Sequence, residues 1–473
     1  MRYVLMLLAA FASHSWAGQL PGGSAEDPLA ESKRINEAIA RLTSEYPVAR
    51  QIEELRARMS DDSRVIQKQI NELSETPEWK QYQQRRRELE QQRNRRMTEE
   101  REALEEAGRK LYAGRHADLR RRAPVDVVEG RKLGFDVLSY PTIDGSTSTH
   151  PLSVIIASRL LDVPYDWRYS SPRVWFRAWS IEDTKLLLPF DSDVARRVTQ
   201  HDTLELNIAA GRVYAAPASH GDPKQIRTAR MINSLLASHS NTHAAHVNLV
   251  EGHCDLILSA RAPSESELKL AAGKGVKLAA VPIAKDALVF LVNQQNEVKS
   301  LTRQQLRAIY EGRIGRWGAV GWTMSDEPTD SIVPLRRERD SGSRELFDEL
   351  LMKGDQLPDP PDPYTVDMFE TRDMSGPYNR ITRWPRALGY SVYYYERYMA
   401  MSPETQAIAI DGVEPTFESI ASDAYAFVAP VYAVYREDQP ADSPARMLLQ
   451  WLLSLEGQAV VRESGYVPIR QGG

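Results

Sequence analysis

Apolar residues recur at helical spacing in a charge-dense segment that spans residues 30–123. The repeats lie at Ile35, Ile39, Leu42 and Tyr46, then at Ile52, Leu55 and Met59, and then at Ile66, Ile70 and Leu73. Pro47 and Pro77 interrupt this pattern, because proline removes an amide donor and disfavours helix in the residue before it. The pattern therefore predicts three helices, the last of which begins near Pro77.

The last of these helices carries only one clear apolar position per heptad. Tyr82 and Leu89 form one series, and Met97, Leu104 and Leu111 form a second series that is out of phase by one position. One apolar position per heptad is a narrow contact surface for a partner helix. The pattern therefore predicts a partly coiled-coil extension that forms a hairpin or lies on another surface, rather than a long dimer. It leaves a protein partner or self-association through these helices open.

After Pro124 the pattern changes to short apolar runs that alternate with amphipathic stretches. This alternation is typical of an α/β fold with mostly parallel sheets. The predicted strands are Phe135 to Leu138, Leu256 to Leu258, Val276 to Val281, Ala287 to Asn293 and Ile332 to Leu335. The predicted helices start near Leu152 and cover Arg227 to Ala237, Glu265 to Gly273, Thr302 to Tyr310 and Ser343 to Met352.

The first seventeen residues have the pattern of a secretory signal peptide. Arg2 precedes an apolar core from Val4 to Ala12, and cleavage is expected near Ala17. The sequence therefore predicts a periplasmic or secreted protein, with an uncleaved membrane anchor as the alternative. Later segments are too polar to span a bilayer.

Composition narrows the kinds of site and partner. Cys254 is the only cysteine, which excludes an internal disulfide and a cysteine zinc cluster. The formal net charge of -5 does not suggest a nucleic-acid partner. Arginine clusters in the N-terminal helices alternate with acids, so solvated helix faces explain them better.

Residues 144–152 have the composition of an anion-binding loop. Gly145 permits a tight turn, four consecutive hydroxyl residues follow it, and Pro151 suits a first helical turn, where amide groups lack partners. An ordinary helix cap is the alternative, since Ser and Thr are common at that position.

Three further segments place polar groups next to predicted strands or helices. Thr242 and His243 precede an apolar helical run, although a cap and a surface histidine would explain them too. Ser259 and Arg261 follow the strand that ends at Leu258. The third segment, 337–344, joins a strand to a helix and contains Arg337, Ser341, Gly342 and Ser343, which offer a guanidinium, hydroxyls and backbone amides to an oxyanion.

These segments belong to an ordered series of motifs that resembles the periplasmic phosphate-binding proteins of ABC importers and their secreted relatives. The resemblance covers residues 134–473. Its motifs are Asp144-Gly145-Ser146-Thr147, Thr242-His243, Asp255 to Arg261, Val281 to Ala287, Leu301-Thr302, Ile309 to Gly312, Trp317, Ser341-Gly342-Ser343, Leu388-Gly389-Tyr390 and Gly465 to Pro468.

The resemblance implies a two-lobed, type II periplasmic binding protein fold. One lobe would contain residues 134–293 plus 420–473, and the other would contain residues 294–419. Matching motif to motif, the first lobe would bind phosphate through Ser146, Thr147, Ser148 and Thr242. The second would bind it through Arg337, Ser341, Gly342 and Ser343. The resemblance implies no cofactor and no catalytic residue, and no metal-ligand spacing is present.

One stretch departs from the family pattern. Phosphate binders of this family place a carboxylate in the stretch that matches Ser259 to Arg261, where it accepts the proton of hydrogen phosphate. This chain has Ser259, Ala260 and Arg261 there. Either Asp144, Asp340 or His243 replaces that acceptor, or the ligand is another oxyanion. Ser259 and Arg261 are possible additional ligands.

The sequence therefore predicts an exported binding protein that captures phosphate or a similar tetrahedral oxyanion. It would serve uptake or sensing, with the membrane subunits of an ABC importer as possible partners. The alternative is a cell-envelope scaffold that keeps the binding fold and binds a partner through its helical extension. A phosphate-ester hydrolase is disfavoured, because no serine lies in a Gly-x-Ser-x-Gly motif. Trp167, Trp175 and Trp179 lie in a segment, 165–180, with no assigned role.

Overall fold

The computed structural model describes residues 28–57, 64–121, 125–169, 211–216, 222–322, 330–338, 341–355, 370–371 and 373–470. The predicted signal peptide, Met59, Trp175, Trp179 and Asp340 lie outside these described residues. The chain forms two compact units, residues 1–107 and 108–473, and the boundary between them falls within one long helix. Nowhere in the described residues is a helix both long and apolar enough to cross a membrane.

The N-terminal unit is helical, as the sequence pattern predicts. Its described helices are α1 (Pro28–Glu45), α2 (Pro47–Ala57), α3 (Arg64–Ser74) and the first part of α4 (Pro77–Arg121). Pro47 and Pro77 occupy the first positions of their helices, where a missing N–H group costs no hydrogen bond. The predicted middle helix corresponds to two segments, α2 and α3, and residues 58–63 between them are not described.

A small apolar cluster holds these four helical segments together. Ile35, Leu42, Ile52 and Ile70 are buried there, and these are positions of the helical repeat. The ring of Tyr82 stacks on Trp79 with centroids 5.1 Å apart. The first part of α4 therefore packs against α1 to α3.

The second unit contains an α/β core. Its strands are β1 (Ile143–Gly145), β2 (Tyr165–Tyr169), β3 (Gly211–Ala215), β4 (Leu256–Ser259), β5 (Leu278–Asn293), β6 (Ser300–Leu301), β7 (Val333–Pro334), β8 (Arg336–Arg337), β9 (Glu370–Thr371), β10 (Ala387–Val392), β11 (Thr405–Ala407), β12 (Ala409–Ile410), β13 (Val428–Arg436) and β14 (Val467–Pro468). The main path of the large sheet runs β1-β4-β13-β5-β10-β7, with β11 and β14 also paired to β5.

Strand β5 belongs to two sections of this sheet. Residues 278–287 pair with β13 and β14, which together with β1 and β4 form what we term the first section. Residues 288–293 pair with β10 and β11, which with β7 form the second section. The change of partners falls between Ala287 and Leu288, so one continuous strand joins the two sections.

The prediction of mostly parallel sheets is wrong for the centre of this fold. Every strand that pairs with β5 in the described residues runs antiparallel to it. Parallel pairs lie further out, between β1 and β4 and between β7 and β10. Apolar runs that are buried on both faces look alike in parallel and antiparallel sheets, so the pattern did not distinguish the two directions.

Helices cover the sheet. They are α5 (Val128–Arg131), α6 (His150–Leu160), α7 (Pro223–Met231), α8 (Thr242–Glu251), α9 (Glu265–Gly273), α10 (Arg303–Tyr310), α11 (Gly342–Phe347), α12 (Gly376–Arg383), α13 (Tyr393–Tyr395), α14 (Phe417–Ala421), α15 (Pro444–Leu452) and α16 (Leu455–Ser464). Short 3₁₀ turns lie at Thr147–Thr149 and Trp317–Val320, and π turns at Ile232–Leu236, Asp348–Met352 and Glu396–Ala400. The mixed α/β class and the long N-terminal helix predicted from the sequence are confirmed.

Three predicted strands differ in the structure for local reasons. Phe135 to Leu138 is a turn, because the Asp136 carboxylate accepts the N–H groups of Leu138 and Ser139, both at 2.9 Å. The two strands predicted on either side of Pro282 are a single strand, β5. A bulge at Ile283 opposite Val431 and Tyr432 accommodates the proline.

The last part of α4 is packed into the second unit. Tyr112, His116 and Leu119 are buried, and the His116 ring lies 4.7 Å from that of Trp167 in β2. Arg115 Nη2 forms an ion pair with Glu396 Oε1 at 2.7 Å. This end of α4 is thus part of the second unit's core.

Candidate functional site

The loop after β1 approaches the end of β4 very closely. A Cβ atom on Gly145 would lie 2.2 Å from the carbonyl oxygen of Leu258, so only glycine fits there. Ser146 N–H donates to the same carbonyl at 3.0 Å. The Thr149 hydroxyl also donates to it, at 2.7 Å. These bonds fix the backbone of the loop.

The Ser146 hydroxyl lies at the centre of a buried polar group, which we term the hydroxyl side of the site. It is 2.9 Å from the Thr242 hydroxyl and accepts the Ala260 N–H at 3.0 Å. Ser146 makes no capping bond. The cap of α8 is Asn241, whose side chain accepts the Ala244 N–H at 3.0 Å, and not Thr242. Both hydroxyls therefore face each other instead of capping a helix.

The two remaining hydroxyl residues of this loop have different surroundings. Ser148 is buried, and its carbonyl accepts the Tyr466 hydroxyl at 2.9 Å. Thr147 is partly exposed. All three predicted residues of the loop, Ser146 to Ser148, thus lie in one short turn beside Thr242.

Asp144 holds this region together. One carboxylate oxygen accepts the N–H groups of Gly145 at 2.7 Å and Ser240 at 2.8 Å, and the other accepts from the Asn248 amide at 2.7 Å. Three donors from the protein thus bond to this buried carboxylate and hold it in place.

A second loop carries the charged side of the site. The Arg337 side chain is 4% exposed. Its Nε donates to the Ser341 hydroxyl at 3.2 Å, and its Nη1 donates to the carbonyl of Asp373. The Ser341 and Ser343 hydroxyls are 3.0 Å apart. The structure thus brings together Arg337, Ser341, Gly342 and Ser343, as the sequence predicts.

The Arg337 guanidinium is a buried cation whose close hydrogen-bond partners in the described residues are neutral. Its nearest carboxylate contact there is Glu338 Oε1, 3.9 Å from Nη2. Burial lowers the pKa of Arg337 below its ordinary value, although the neighbouring Tyr390 and Glu338 oppose that shift. A desolvated cation of this kind is stabilised by an anion.

The hydroxyl side and the charged side meet at Gly342 and Thr242. A Cβ atom on Gly342 would lie 2.5 Å from Thr242 Oγ1 and 3.1 Å from its Cβ. Thr242 begins α8, beside the first sheet section, whereas Gly342 begins α11, which packs on β10 of the second section. Loops from both sheet sections therefore converge at this point.

Arg261, Ser259 and His243 contact other protein groups. Arg261 donates from Nη1 and Nη2 to the two carboxylate oxygens of Glu267, each at 2.8 Å. His243 Nδ1 is 3.0 Å from Glu267 Oε1, and the Ser259 hydroxyl donates to the carbonyl of Arg261 at 2.7 Å. These three possible ligands are thus held beside the site by other protein groups.

Glu267 was missed as part of this region. Burial raises its pKa, but the hydrogen bonds and charge of Arg261 and the charge of His246 outweigh burial and lower the pKa to about 2. The sequence signal that could have identified Glu267 is its spacing from Ser264, which is that of a capping box, and the structure contains this capping box. Tyr390, whose hydroxyl accepts the Arg337 N–H at 3.0 Å, was noted only as part of a motif.

The described residues contain no group of three or more His, Cys, Asp or Glu side chains placed to hold a metal ion. What converges here is a set of hydroxyl groups, one buried guanidinium and backbone amides. That set suits an oxyanion.

Part of this chain is similar to known proteins. The sequence profile described as "PBP superfamily domain" matches residues 235–456. The phosphate-binding protein PstS of Staphylococcus epidermidis is 26% identical over 239 residues, which cover 49% of this chain and 69% of that protein. These matches confirm the resemblance predicted from the motifs.

Solved structures of phosphate transport proteins align with parts of the chain. A phosphate ABC transporter substrate-binding protein from Clostridium perfringens, crystallised with phosphate, is 25% identical, with a TM-score of 0.40. That alignment covers 49% of this chain and 86% of the other. An ABC-type phosphate transport receptor from Vibrio cholerae is 20% identical with a TM-score of 0.41, covering 69% and 99% of the two chains.

Proposed function

We propose that this protein binds inorganic phosphate, or a similar tetrahedral oxyanion, between the hydroxyl side and the charged side of the site. The observation that carries the proposal is the buried Arg337 guanidinium beside the Ser341 and Ser343 hydroxyls, on a loop that touches Thr242. An anion at this point would neutralise the buried charge and accept hydrogen bonds from both sheet sections.

The proposed ligand residues are Ser146, Thr147, Ser148 and Thr242 on one side and Arg337, Ser341, Gly342 and Ser343 on the other. A charge-assisted hydrogen bond contributes about 1.5 to 3 kcal/mol, and micromolar affinity requires about 8 kcal/mol. A few such bonds, divided between the two sides, are enough. Because an anion held by both sides is fully bonded only when they are together, binding would favour the closed arrangement.

The biological role proposed for this site is capture of the anion outside the cytoplasm, for ABC-type uptake or sensing. The relatives support it, because their names describe phosphate binding and ABC transport rather than catalysis. The membrane subunits of an importer would then be the partners. Export after cleavage near Ala17 is part of the same proposal.

Discrimination between hydrogen phosphate and sulfate would require an acceptor for the proton of hydrogen phosphate. Asp144 is occupied by three N–H donors, and His243 faces Glu267. Since both residues are held by other protein groups, we expect phosphate to be preferred over sulfate by less than about tenfold, which corresponds to about 1.4 kcal/mol.

Calorimetric titration of the full exported protein, freed of co-purified anions, tests the proposal. The native protein should bind phosphate and sulfate. Arg337→Ala should weaken both by roughly 100-fold or more, because it removes a charge and at least one charge-assisted bond. Arg313→Ala, which truncates an arginine that is 65% exposed, is the matched control and should leave affinity unchanged.

Absence of binding by the native protein to either anion would refute the proposal. It would favour the alternative of a cell-envelope scaffold that retains the fold. Equal affinity in native protein and Arg337→Ala would show that the anion binds elsewhere.

A further inference from the structure

Arg261 lies at the centre of a charge cluster that spans the two sheet sections. Its guanidinium is 4% exposed and forms a two-bond pair with Glu267, and its Nε forms an ion pair with Glu345. Nη1 also donates to the carbonyl of Ala262 at 2.8 Å. The Nη1 and Nη2 donors are therefore used by Glu267 and Ala262, and Nε, which makes no other hydrogen bond in the described residues, faces the Glu345 carboxylate.

The two carboxylates of this cluster come from opposite sides. Glu267 lies on α9 and pairs with Arg261 directly after β4, all within the first section. Glu345 lies on α11, which packs on β10 and on the part of the core that belongs to the second section. The Arg261 to Glu345 contact therefore crosses the same gap as the proposed ligand, but it does so with protein groups alone.

The positions of the two residues tie this contact to the site. Arg261 follows Ala260, whose N–H donates to Ser146, and Glu345 follows Ser343 by two residues. Separation of the two sections would break the contact with Glu345 and leave the Arg261 to Glu267 pair intact. The contact thus exists only when the sections are together.

Burial makes this contact stronger than a surface ion pair. Glu267 has no exposed side-chain area, and Glu345 is 31% exposed, so solvent screens the cluster only from the side of Glu345. Glu267 also fixes the guanidinium in place before Glu345 arrives. A pre-positioned cation loses little side-chain freedom when the second carboxylate binds it.

We propose that the Arg261 to Glu345 ion pair is a latch that stabilises the closed arrangement of the two sheet sections and so sets how tightly the site holds its anion. Only the second part of this inference, the effect on anion affinity, rests on the proposed function. The latch itself is a property of the protein without ligand. Arg261 acts here as a positioning residue and not as a direct ligand.

Hydrogen exchange of the ligand-free full chain tests the latch directly. Glu345→Gln keeps the shape of the side chain and removes its charge. In this variant, exchange of residues 256–262 and 341–350 should become at least about threefold faster, since both segments become exposed when the sections separate. Glu297→Gln, which neutralises an exposed carboxylate in the loop after β5, is the matched control and should not change either segment.

Phosphate affinity, measured on the same proteins by calorimetry, tests the consequence. Glu345→Gln should weaken phosphate binding about tenfold, within the usual range for a coupling between two contacts. Glu345→Asp, which keeps the charge on a shorter side chain, should fall between native protein and Glu345→Gln. It also provides a test if the glutamine variant folds poorly.

The outcomes separate the latch from the function. Unchanged exchange in Glu345→Gln overturns the latch, whatever the affinity for phosphate. Faster exchange in Glu345→Gln, when the native protein binds neither phosphate nor sulfate, supports the latch and refutes the proposed function. Faster exchange with unchanged affinity refutes the second part of the proposal, because closure would then not limit binding.

Discussion

The two sides of the candidate site differ in how they satisfy buried polar groups. On the hydroxyl side, Ser146 already bonds to the Thr242 hydroxyl and to the Ala260 N–H. On the charged side, the close hydrogen-bond partners of Arg337 in the described residues are neutral. The hydroxyl side is therefore organised before a ligand arrives, whereas the charged side gains most when an anion binds. The contrast suggests that one side positions the anion and the other supplies affinity.

The largest expected effect lies where the two sheet sections join, at Asp286 in β5. Burial raises the pKa of Asp286 to about 7, although N–H groups of Tyr394 and Ala287 donate to one oxygen and oppose the shift. Because folding raises this pKa, its contribution to stability is complete below pH 3.8 and is lost as the pH rises through about 7. The loss should be on the order of 4 kcal/mol at most, since each pKa unit is worth about 1.4 kcal/mol.

Urea unfolding between about pH 4 and about pH 8.5 measures this loss, because that range spans nearly all of the interval between the unfolded and folded pKa values. Asp286→Asn resembles the protonated acid, so its free energy of unfolding should decline less than that of the native protein. Asp423→Asn removes an exposed carboxylate paired with Lys285 and is the matched control. A decline as steep in Asp286→Asn as in the native protein would exclude Asp286 as the group responsible.

A second test separates the two sides by steric means. In Gly342→Ala the new Cβ atom would lie 2.5 Å from Thr242 Oγ1, so the two loops could not approach as they do. Phosphate affinity should fall roughly 100-fold, because donors on opposite sides could no longer bind one anion together. Calorimetry measures the affinity. Gly315→Ala, where the added Cβ atom would meet no atom within 4 Å, should bind as the native protein does.

The smallest effect is expected on the hydroxyl side. Ser146→Ala leaves the buried Ala260 N–H without the acceptor it has now, which should cost about 1 to 3 kcal/mol of stability. Because a hydroxyl contributes less than a charge, phosphate affinity should fall only about tenfold. Thermal unfolding and calorimetry give the two values. Ser422→Ala, in an exposed helix end, is the control. A loss of affinity larger than that of Arg337→Ala would reverse the assignment of roles to the two sides.

The sequence predicted local features of the fold well because they depend on neighbouring residues. Pro77 begins α4, Thr302 caps α10, and the Gly145 and Gly342 loops join elements where the motifs place them. Each depends on backbone chemistry within a few residues. The sequence could not show that Asp144 is bonded by protein donors and so is set apart from the proposed ligand residues, since its donors Ser240 and Asn248 lie far along the chain.

Long-range features could not be predicted for a similar reason. The thin apolar seam of α4 gave no sign that Tyr112 and His116 belong to the core of the second unit, because their partners lie in β2 and near Tyr398. The contact of Arg261 with Glu345 requires two sheet sections to meet. The antiparallel direction of the strands beside β5 also depends on the order of the whole sheet.

The long strand β5 also constrains how the protein folds. Its strand partners β10, β11, β13 and β14 all follow it in sequence, and the nearest begins at Ala387. The centre of the sheet therefore cannot form until most of the chain has been synthesised. Such non-local pairing slows folding.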